Sequence, residues 1–364
     1  MTQYIRAGND TIVSSENLYK KRGAVREIAN NETGTVDPRK IDHIFIINPK
    51  SFHRKSEMDA VIAGIENVLR RFDGIRYQIH ASLYPRDAIG VVNRYTRDMR
   101  EHRPIRVYAV GGDGILFDCL NAVVGIEGAE LAIVPYGREN AFIRAFGEGI
   151  EEQFRDIASQ LSAVSVSTDI ILCNGQYALN FCSIGLESMV IMHRSKLLKR
   201  VARFRNVYRT LERGINSYSV MICALGDINK NRLYYISADG KQYDGLYTTI
   251  HIANGPCCGI YMTPTGESLP DDGLLEYVTG YARSSFAAMR LLKDICYGRY
   301  HSRRYKGNAT LTRRLIKEAN IASDGILCVN LDGEVFYETS VNVGIIPGGA
   351  LIVTPNGARY TRKE

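Results

Sequence analysis

Apolar residues along the chain alternate between two periods. His43–Asn48 (HIFIIN) is a continuous apolar run stopped by Pro49, as a buried strand would be. Met58, Val61, Ile62, Ile65, Leu69 and Phe72 then recur at helical spacing, and Ile75–His80 reads as a strand. Ala88, Val92, Tyr95 and Met99 mark a second helix, Arg106–Val110 a strand, and Ile115, Leu116, Cys119, Leu120 and Val123 a third helical face. Leu131–Val134 closes the series as another buried strand. Repeated strand–helix units predict a parallel sheet with helices on its faces.

Beyond about Ser162 the texture changes. Strand-like segments follow one another at Val164–Leu172, Tyr177–Phe181, Tyr218–Ala224, Leu233–Ser237, Leu246–Ala253, Leu274–Thr279 and Ile326–Leu331, with GQ, DG and NG turn signals between them. A helix over about Ser284–Tyr297 interrupts them. The expected fold is an α/β N-terminal domain with a parallel sheet (residues 41–162) and a mainly antiparallel β-sandwich (163–364) whose last residues return to the first domain. Residues 1–40 are polar, end in NNETGTVDPRK, and are expected as an arm outside the fold.

Composition leaves this picture intact. An apolar content of 45% and a charged content of 23% are those of a globular protein, and 364 residues suit two domains. The eight cysteines lack zinc-type spacing, the N-terminus lacks the apolar core of a signal peptide, and no apolar run is long enough to span a bilayer. Reduced thiols in a cytoplasmic protein are the expectation. The net charge of +7 favours an anionic partner or surface.

The candidate chemistry starts at VYAVGGDGILFD (Val107–Asp118). Gly111, Gly112 and Gly114 at a strand end let backbone N–H groups approach an anion, and the following helix adds its N-terminal dipole. A carboxylate there, Asp113, needs a magnesium ion or a proton to manage; otherwise it is the N-cap of the helix. Phosphoryl transfer suits the first alternative. Three further stretches accompany it: IINPKSF (Ile46–Phe52), IVPYGRENAFIRAFG (Ile133–Gly147) and VNLDGEVF (Val329–Phe336). With ANGPCCGIYMTPTGESLPDDGLLEY (Ala253–Tyr277), these motifs resemble the diacylglycerol kinase-like superfamily of bacterial lipid kinases and sphingosine kinases, in order from about Ile41 to the C-terminus.

The resemblance implies a nucleotide-binding α/β domain, a lipid-binding β domain and an active site in the cleft between them, with ATP and Mg²⁺ as cofactors and a lipid hydroxyl as acceptor. Asp113 matches the aspartate proposed as magnesium-linked or as the base. Asp332 and Glu334 match the Asp-Gly-Glu motif, the other candidate base and its acidic partner. Asn48, Pro49 and Ser51 match the first nucleotide loop, and Gly137 and Asn140 the Pro-x-Gly-Thr-x-Asn loop. Glu187 sits where many relatives carry an acidic residue facing the acceptor pocket; as a residue alone it reads equally as a solvated charge at a strand end. Asp272, with the carbonyl of Leu274, matches a structural cation site, while Asp-Asp-Gly before a strand is also an ordinary turn.

The chain departs from the family pattern in four places, one of them Ala141, which replaces an aspartate as in some sphingosine kinase-like relatives. Phe52 replaces a glycine, which predicts a loop deprived of backbone freedom. Ile115 replaces a threonine, as in some sphingosine kinase-like relatives. Arg138 and Glu139 replace a small pair, so that Arg138 either binds phosphate bidentately or pairs with Glu139 and blocks the loop. These departures leave a non-catalytic lipid- or nucleotide-binding relative as an alternative. The shared GGDG loop leaves an NAD kinase as another, against which the Pro-x-Gly-x-x-Asn-Ala segment and the NGPCC block stand.

Two basic segments bear on the partner. Residues 193–213 carry eight Lys/Arg to one Glu, with Leu197, Val201, Phe204, Val207, Tyr208 and Leu211 along one side of a helix, and residues 290–317 carry nine Lys/Arg to one Asp. Such surfaces attract anionic headgroups, so peripheral membrane association is expected. No nucleic-acid motif accompanies the charge, and a homodimer is compatible with the sequence.

Overall fold

The computed structural model describes residues 35–98, 103–201, 208–226, 231–256, 268–296 and 309–361. Its first lobe alternates β1 (Asp42–Ile47), α1 (Lys55–Leu69), β2 (Arg76–Ala81), α2 (Asp87–Asp98), β3 (Ile105–Gly111), α3 (Asp113–Val123) and β4 (Ala129–Pro135), followed by the short helices α4 (Glu151–Arg155) and α5 (Ile157–Ser162). The four strands lie parallel in the order β2-β1-β3-β4. Every residue of β1, β3 and β4 is buried, as strands covered on both faces must be. Ile44, Ile46, Val107 and Leu131 meet α2 and α3 on one face, while Phe45, Tyr108, Val110 and Val134 meet α1 and α5 on the other.

Residues 35–40, expected in the arm, pack onto this lobe. The Val36 N–H donates to Ser162 O at 2.9 Å, and His43 Nε2 lies 2.9 Å from Pro38 O. Arg106, inside β3 and fully buried, donates Nε–H to Glu130 of β4 at 2.7 Å and its remaining N–H groups to the carbonyls of Gln160, Leu161 and Ala163 at the end of α5. Removing one partner of a buried pair strands the other charge. Arg106→Ala is therefore expected to lower stability by about 3–5 kcal/mol, read as a lower denaturant midpoint at unchanged slope.

The second lobe comprises β5 (Ser165–Cys173), β6 (Gln176–Ala178), β7 (Phe181–Gly185), α6 (Leu186–Val201), α7 (Tyr208–Leu225), β8 (Arg232–Ala238), β9 (Lys241–Gln242), β10 (Gly245–Tyr247), β11 (Thr249–Ala253), β12 (Leu275–Ala282), α8 (Ser285–Cys296), β13 (Ala309–Ile316), β14 (Glu318–Leu331) and β15 (Glu334–Val353). Its strand pairs are antiparallel. A register shift between Ala322 and Leu327 lets β14 pair with β8 over one half and with β7 over the other, so the strand passes between the two layers of the sandwich. Ile184, Ile236, Ile250, Leu275, Ile321, Val329 and Val341 fill the space between. β15 then runs out of the sandwich and pairs in parallel with β4 through Ile352 and Leu131, joining the lobes in one hydrogen-bonded array.

Tyr218–Ala224, expected as a strand, lies inside α7. A run of apolar residues that short fits either period, and packing against α6 and α8 decides for the helix. Phe204 and Val207 of the expected apolar face, together with Cys257 and Cys258, fall outside the described residues. No described helix is long and apolar enough to cross a membrane.

Candidate active site

Three loops leave the C-terminal ends of β1, β3 and β4, the edge of a parallel sheet where ligands collect. After β1, Asn48 caps the turn Pro49–Ser51 by accepting the Lys50 N–H at 3.0 Å, and its own N–H donates to Val110 O at 3.0 Å. After β3, the Gly111 carbonyl accepts from both Tyr136 and Gly137 of the β4 loop, at 2.8 and 2.9 Å. Asn140, in the left-handed region at φ +44°, donates Nδ2–H back to Gly137 O at 3.0 Å.

The glycines are set by close approach. A Cβ on Gly111 would lie 2.8 Å from Ser51 Oγ and from Ile115 Cγ2, and one on Gly112 would lie 2.9 Å from Gly137 Cα. All three sequence-predicted nucleotide loops therefore touch. Ile115, in the family's threonine position, is core packing for α3.

Asp113 and the Asp332–Glu334 hairpin meet at this edge. Gly112 is the N-cap of α3, so Asp113 does not cap its own helix; its Oδ1 accepts the Ala141 N–H across the loop junction at 2.8 Å. Burial pushes the Asp113 carboxyl up to about 7; the Ala141 hydrogen bond and Arg144 oppose this, and the charges of Glu139 and Asp332 add to it. Asp332 and Gly333 both have positive φ, +47° and +95°, the requirement of a two-residue type I′ hairpin turn, which here joins β14 to β15.

The Asp332 carboxylate accepts from Leu179 (2.7 Å), Asn180 (3.1 Å to each oxygen) and Phe181 (2.8 Å). Burial raises it to about 6 against the pull of those amides. Four N–H contacts use the acceptor sites of a carboxylate. Glu334 brings Oε1 to 4.0 Å from where a Cβ on Gly114 would stand.

The remaining expected residues divide. Glu187, on the first turn of α6, is not a solvated charge: it is 7% exposed and lies 3.1 Å from His251 Nδ1. Asp272 accepts the Leu274 N–H at 2.9 Å, closing a turn before β12. Burial and the charges of Asp169, Asp271 and Glu276 raise its carboxyl. Among the described residues no three His, Cys, Asp or Glu side chains stand together to hold a metal by themselves.

The departures resolve in physical terms. Phe52 has φ −107° and ψ 143°, a conformation any residue adopts, and its ring packs on Tyr136 at 5.4 Å, so the loop has no need of a glycine there. Glu139 pairs with Arg194 of α6 at 2.8 Å, tying the loop after β4 to the second lobe. The basic segments are used in part internally: Arg194 in that pair, Arg313 on Glu276, and Arg314 stacked 4.6 Å over Tyr243. Residues 202–207 and 297–308 of those segments lie outside the described residues.

Sequence reasoning missed His251 and Arg194. The polar residue in TIHIA, on a strand with two buried faces, was the available signal for His251. No local pattern marks Arg194, because its partner is 55 residues away.

Glycine loops at the end of a parallel sheet, facing a carboxylate hairpin from a β-sandwich, define a lipid kinase-like protein. The chain belongs to the diacylglycerol kinase-like superfamily: the diacylglycerol kinase catalytic domain matches residues 42–173, and the YegS C-terminal NAD kinase beta sandwich-like domain matches residues 198–354. Proteins of Staphylococcus aureus strains JH9 and N315, named as candidate lipid kinases, are 24% identical over 316 residues, covering 84% of this chain and 96% of theirs. Two Bacillus anthracis crystal structures, one of a candidate diacylglycerol kinase and one of a diacylglycerol kinase, share the fold. They have TM-scores of 0.63 and 0.60 at 20% and 18% identity, and each match covers 87% of this chain and 98% of the other.

Proposed function

We propose that the protein is an ATP- and Mg²⁺-dependent lipid kinase that transfers the γ-phosphate to a lipid hydroxyl in the cleft between its lobes. The observation that carries this reading is the meeting of Asp113, on the glycine loops, with the Asp332–Glu334 hairpin. The residues present fit Mg²⁺: the donors are hard carboxylate oxygens, and Asp113 takes only the Ala141 hydrogen bond among the described residues. Magnesium is held by one or two carboxylates plus substrate phosphates and water, so a cage of three side chains is not required. When bound, it would neutralise charge on the transferring phosphoryl group.

The chain's own residues supply the rest. The loops Asn48–Ser51, Gly111–Gly114 and Gly137–Asn140 would present backbone N–H groups to the phosphates, and Arg138 a guanidinium. Asp332, saturated by amides, anchors the hairpin. Asp113, with a carboxyl near 7, takes the hydroxyl proton as the lipid oxygen bonds to the γ-phosphorus; the bond to the bridging oxygen breaks and its electron pair leaves with ADP.

Delivery of a lipid to this cleft calls for a membrane-facing surface. Tyr218, Met221, Ile222 and Leu225 are exposed at i, i+3, i+4 and i+7 on α7, next to the basic α6, which supports peripheral binding to an anionic cytoplasmic membrane face.

Incubation of the full-length protein with γ-labelled Mg·ATP, anionic vesicles and lipid alcohols is expected to label the lipid. Formation of NADP from NAD and ATP with no labelled lipid would overturn the reading in favour of an NAD kinase. No observation favours the non-catalytic alternative, since the Phe52 loop keeps its shape and Glu139 is paired with Arg194.

A further inference from the structure

The loop after β4 carries a charge of the wrong sign for an anion-binding loop. Glu139 stands between Gly137, whose N–H donates to Gly111 O and whose Cα packs on Gly112, and Asn140, which donates back to Gly137 O. The residue after Asn140, Ala141, donates its N–H to Asp113 at 2.8 Å. A carboxylate at this point repels any anion that the loop's N–H groups would receive. Its charge also reaches the rest of the site: it pushes the Asp113 carboxyl up more than the charge of Asp332 does.

A compensating charge comes from the other lobe. Arg194 of α6 donates from Nη2 to Glu139 Oε1 at 2.8 Å, between residues 55 positions apart in the chain. Each side chain is 24% exposed, so water screens the pair only in part. The arginine stands on a fixed base. At the start of α6 the Leu186 N–H donates to Thr248 O at 3.0 Å and Glu187 lies against His251; Arg194, about two turns further on, shares the face of Glu187. The neighbouring His193 Nδ1 lies 3.1 Å from Ser219 Oγ, which ties the same turn to α7.

Other joints between the lobes do not depend on charge. β15 pairs with β4 through backbone, and the Asn121 side chain of α3 exchanges hydrogen bonds with the backbone of Tyr177 at 2.8 and 2.9 Å. A partly exposed ion pair adds little to the stability of such a joint. Its value lies in the charge it removes from the loop.

We propose that Arg194 is a positioning residue for the nucleotide: acting through Glu139, it cancels the carboxylate's charge so that the phosphates of Mg·ATP can seat on the glycine loops. The proposal rests on the nucleotide reading of those loops. It makes nucleotide affinity depend on a residue of the lipid lobe, so a movement of α6 that draws Arg194 away weakens Mg·ATP binding. The role differs from that of an anchor in sign. Removing either member of an anchor does the same harm, whereas a counter-ion is needed only while Glu139 is charged.

Calorimetry of the full-length protein with Mg·ATP, with lipid-labelling kinetics beside it, reads the difference. Arg194→Ala is expected to weaken Mg·ATP binding about tenfold with kcat within about threefold of wild type, and the loss is expected to shrink as ionic strength is raised. Arg194→Lys keeps the charge and is expected to restore most of the affinity. Glu139→Gln alone is expected to bind Mg·ATP about threefold more tightly than wild type, because the arginine is left without its counter-charge. Combined with Arg194→Ala, it is expected to bring affinity back to within about threefold of wild type.

Unchanged affinity in Arg194→Ala overturns the proposal, since Arg138 or Arg144 of the same lobe as Glu139 would then be meeting its charge. Weaker binding by Glu139→Gln, or no recovery in the double variant, also overturns it and marks the pair as an anchor. In all of these cases the wild type still binds Mg·ATP and the nucleotide reading stands. Failure of the wild type to bind Mg·ATP overturns both.

Discussion

Asparagine at position 113 is expected to abolish phosphate transfer and, in the same molecule, to stabilise the fold. General-base contributions are about 10²–10⁴ in rate, and on the proposed reading the loss of an oxygen that would face magnesium adds to that. The stability effect follows from burial. Desolvation is the chief cause that raises the half-buried Asp113 carboxyl to about 7, well above the ordinary carboxylate range. A carboxyl whose folded pKa is raised adds nothing unfavourable below its unfolded pKa and weakens the fold as pH climbs through the folded one. At pH 8 the ionised group costs up to about 4 kcal/mol.

Asparagine can keep the Ala141 N–H on its Oδ1 and carries no charge. The melting temperature of the ligand-free variant should therefore exceed that of the wild type at pH 8, and the gap should close toward pH 4. The wild-type rate should rise with pH as the Asp113 carboxyl loses its proton, and bound Mg²⁺ should move that rise below the pH at which the ligand-free protein loses stability. A variant that loses transfer and also stability at pH 8 would show Asp113 to be a structural link between the loops, not a strained functional carboxylate.

How much of this site the sequence showed depends on the range of the interaction. β1, β3 and β4 were legible because strands buried on both faces are continuous apolar runs, and α1 to α3 because each has one apolar side. The Asp332–Gly333 turn was legible twice over, as a hairpin signal and as a motif. Tyr218–Ala224 failed because a short apolar run is ambiguous, and helix packing between α6 and α8 settled it. Phe52 misleads because a glycine position in a motif does not show whether the backbone there needs glycine's freedom, and at φ −107° it does not. The Glu139–Arg194 pair and the amide cage of Asp332 were not legible: each joins elements far apart in the chain, and neither leaves a periodic trace.

Gly137→Ala is expected to disable the nucleotide site while Gly114→Ala leaves it assembled, although both glycines belong to matching motifs. A Cβ on Gly137 would fall 2.1 Å from Gly112 Cα, 2.9 Å from Gly112 N and 2.6 Å from Asn140 Oδ1. Two of those atoms are backbone, so no rotamer change relieves the clash and the β3 and β4 loops must separate. Separation breaks the paired hydrogen bonds from Tyr136 and Gly137 to Gly111 O and carries Ala141, the hydrogen-bond donor to Asp113, out of place.

Overpacking commonly costs about 1–3 kcal/mol, and contact with backbone puts this case at the upper end. At Gly114 the nearest atom, Glu334 Oε1, is 4.0 Å away, an ordinary contact. Calorimetry with Mg·ATP should show Gly137→Ala weakened by at least about 100-fold and Gly114→Ala by only a few-fold, a gap of roughly 2 kcal/mol. Equal Mg·ATP affinity in both variants would mean that the phosphates do not sit where these two loops touch, and the nucleotide would have to be placed elsewhere along the cleft.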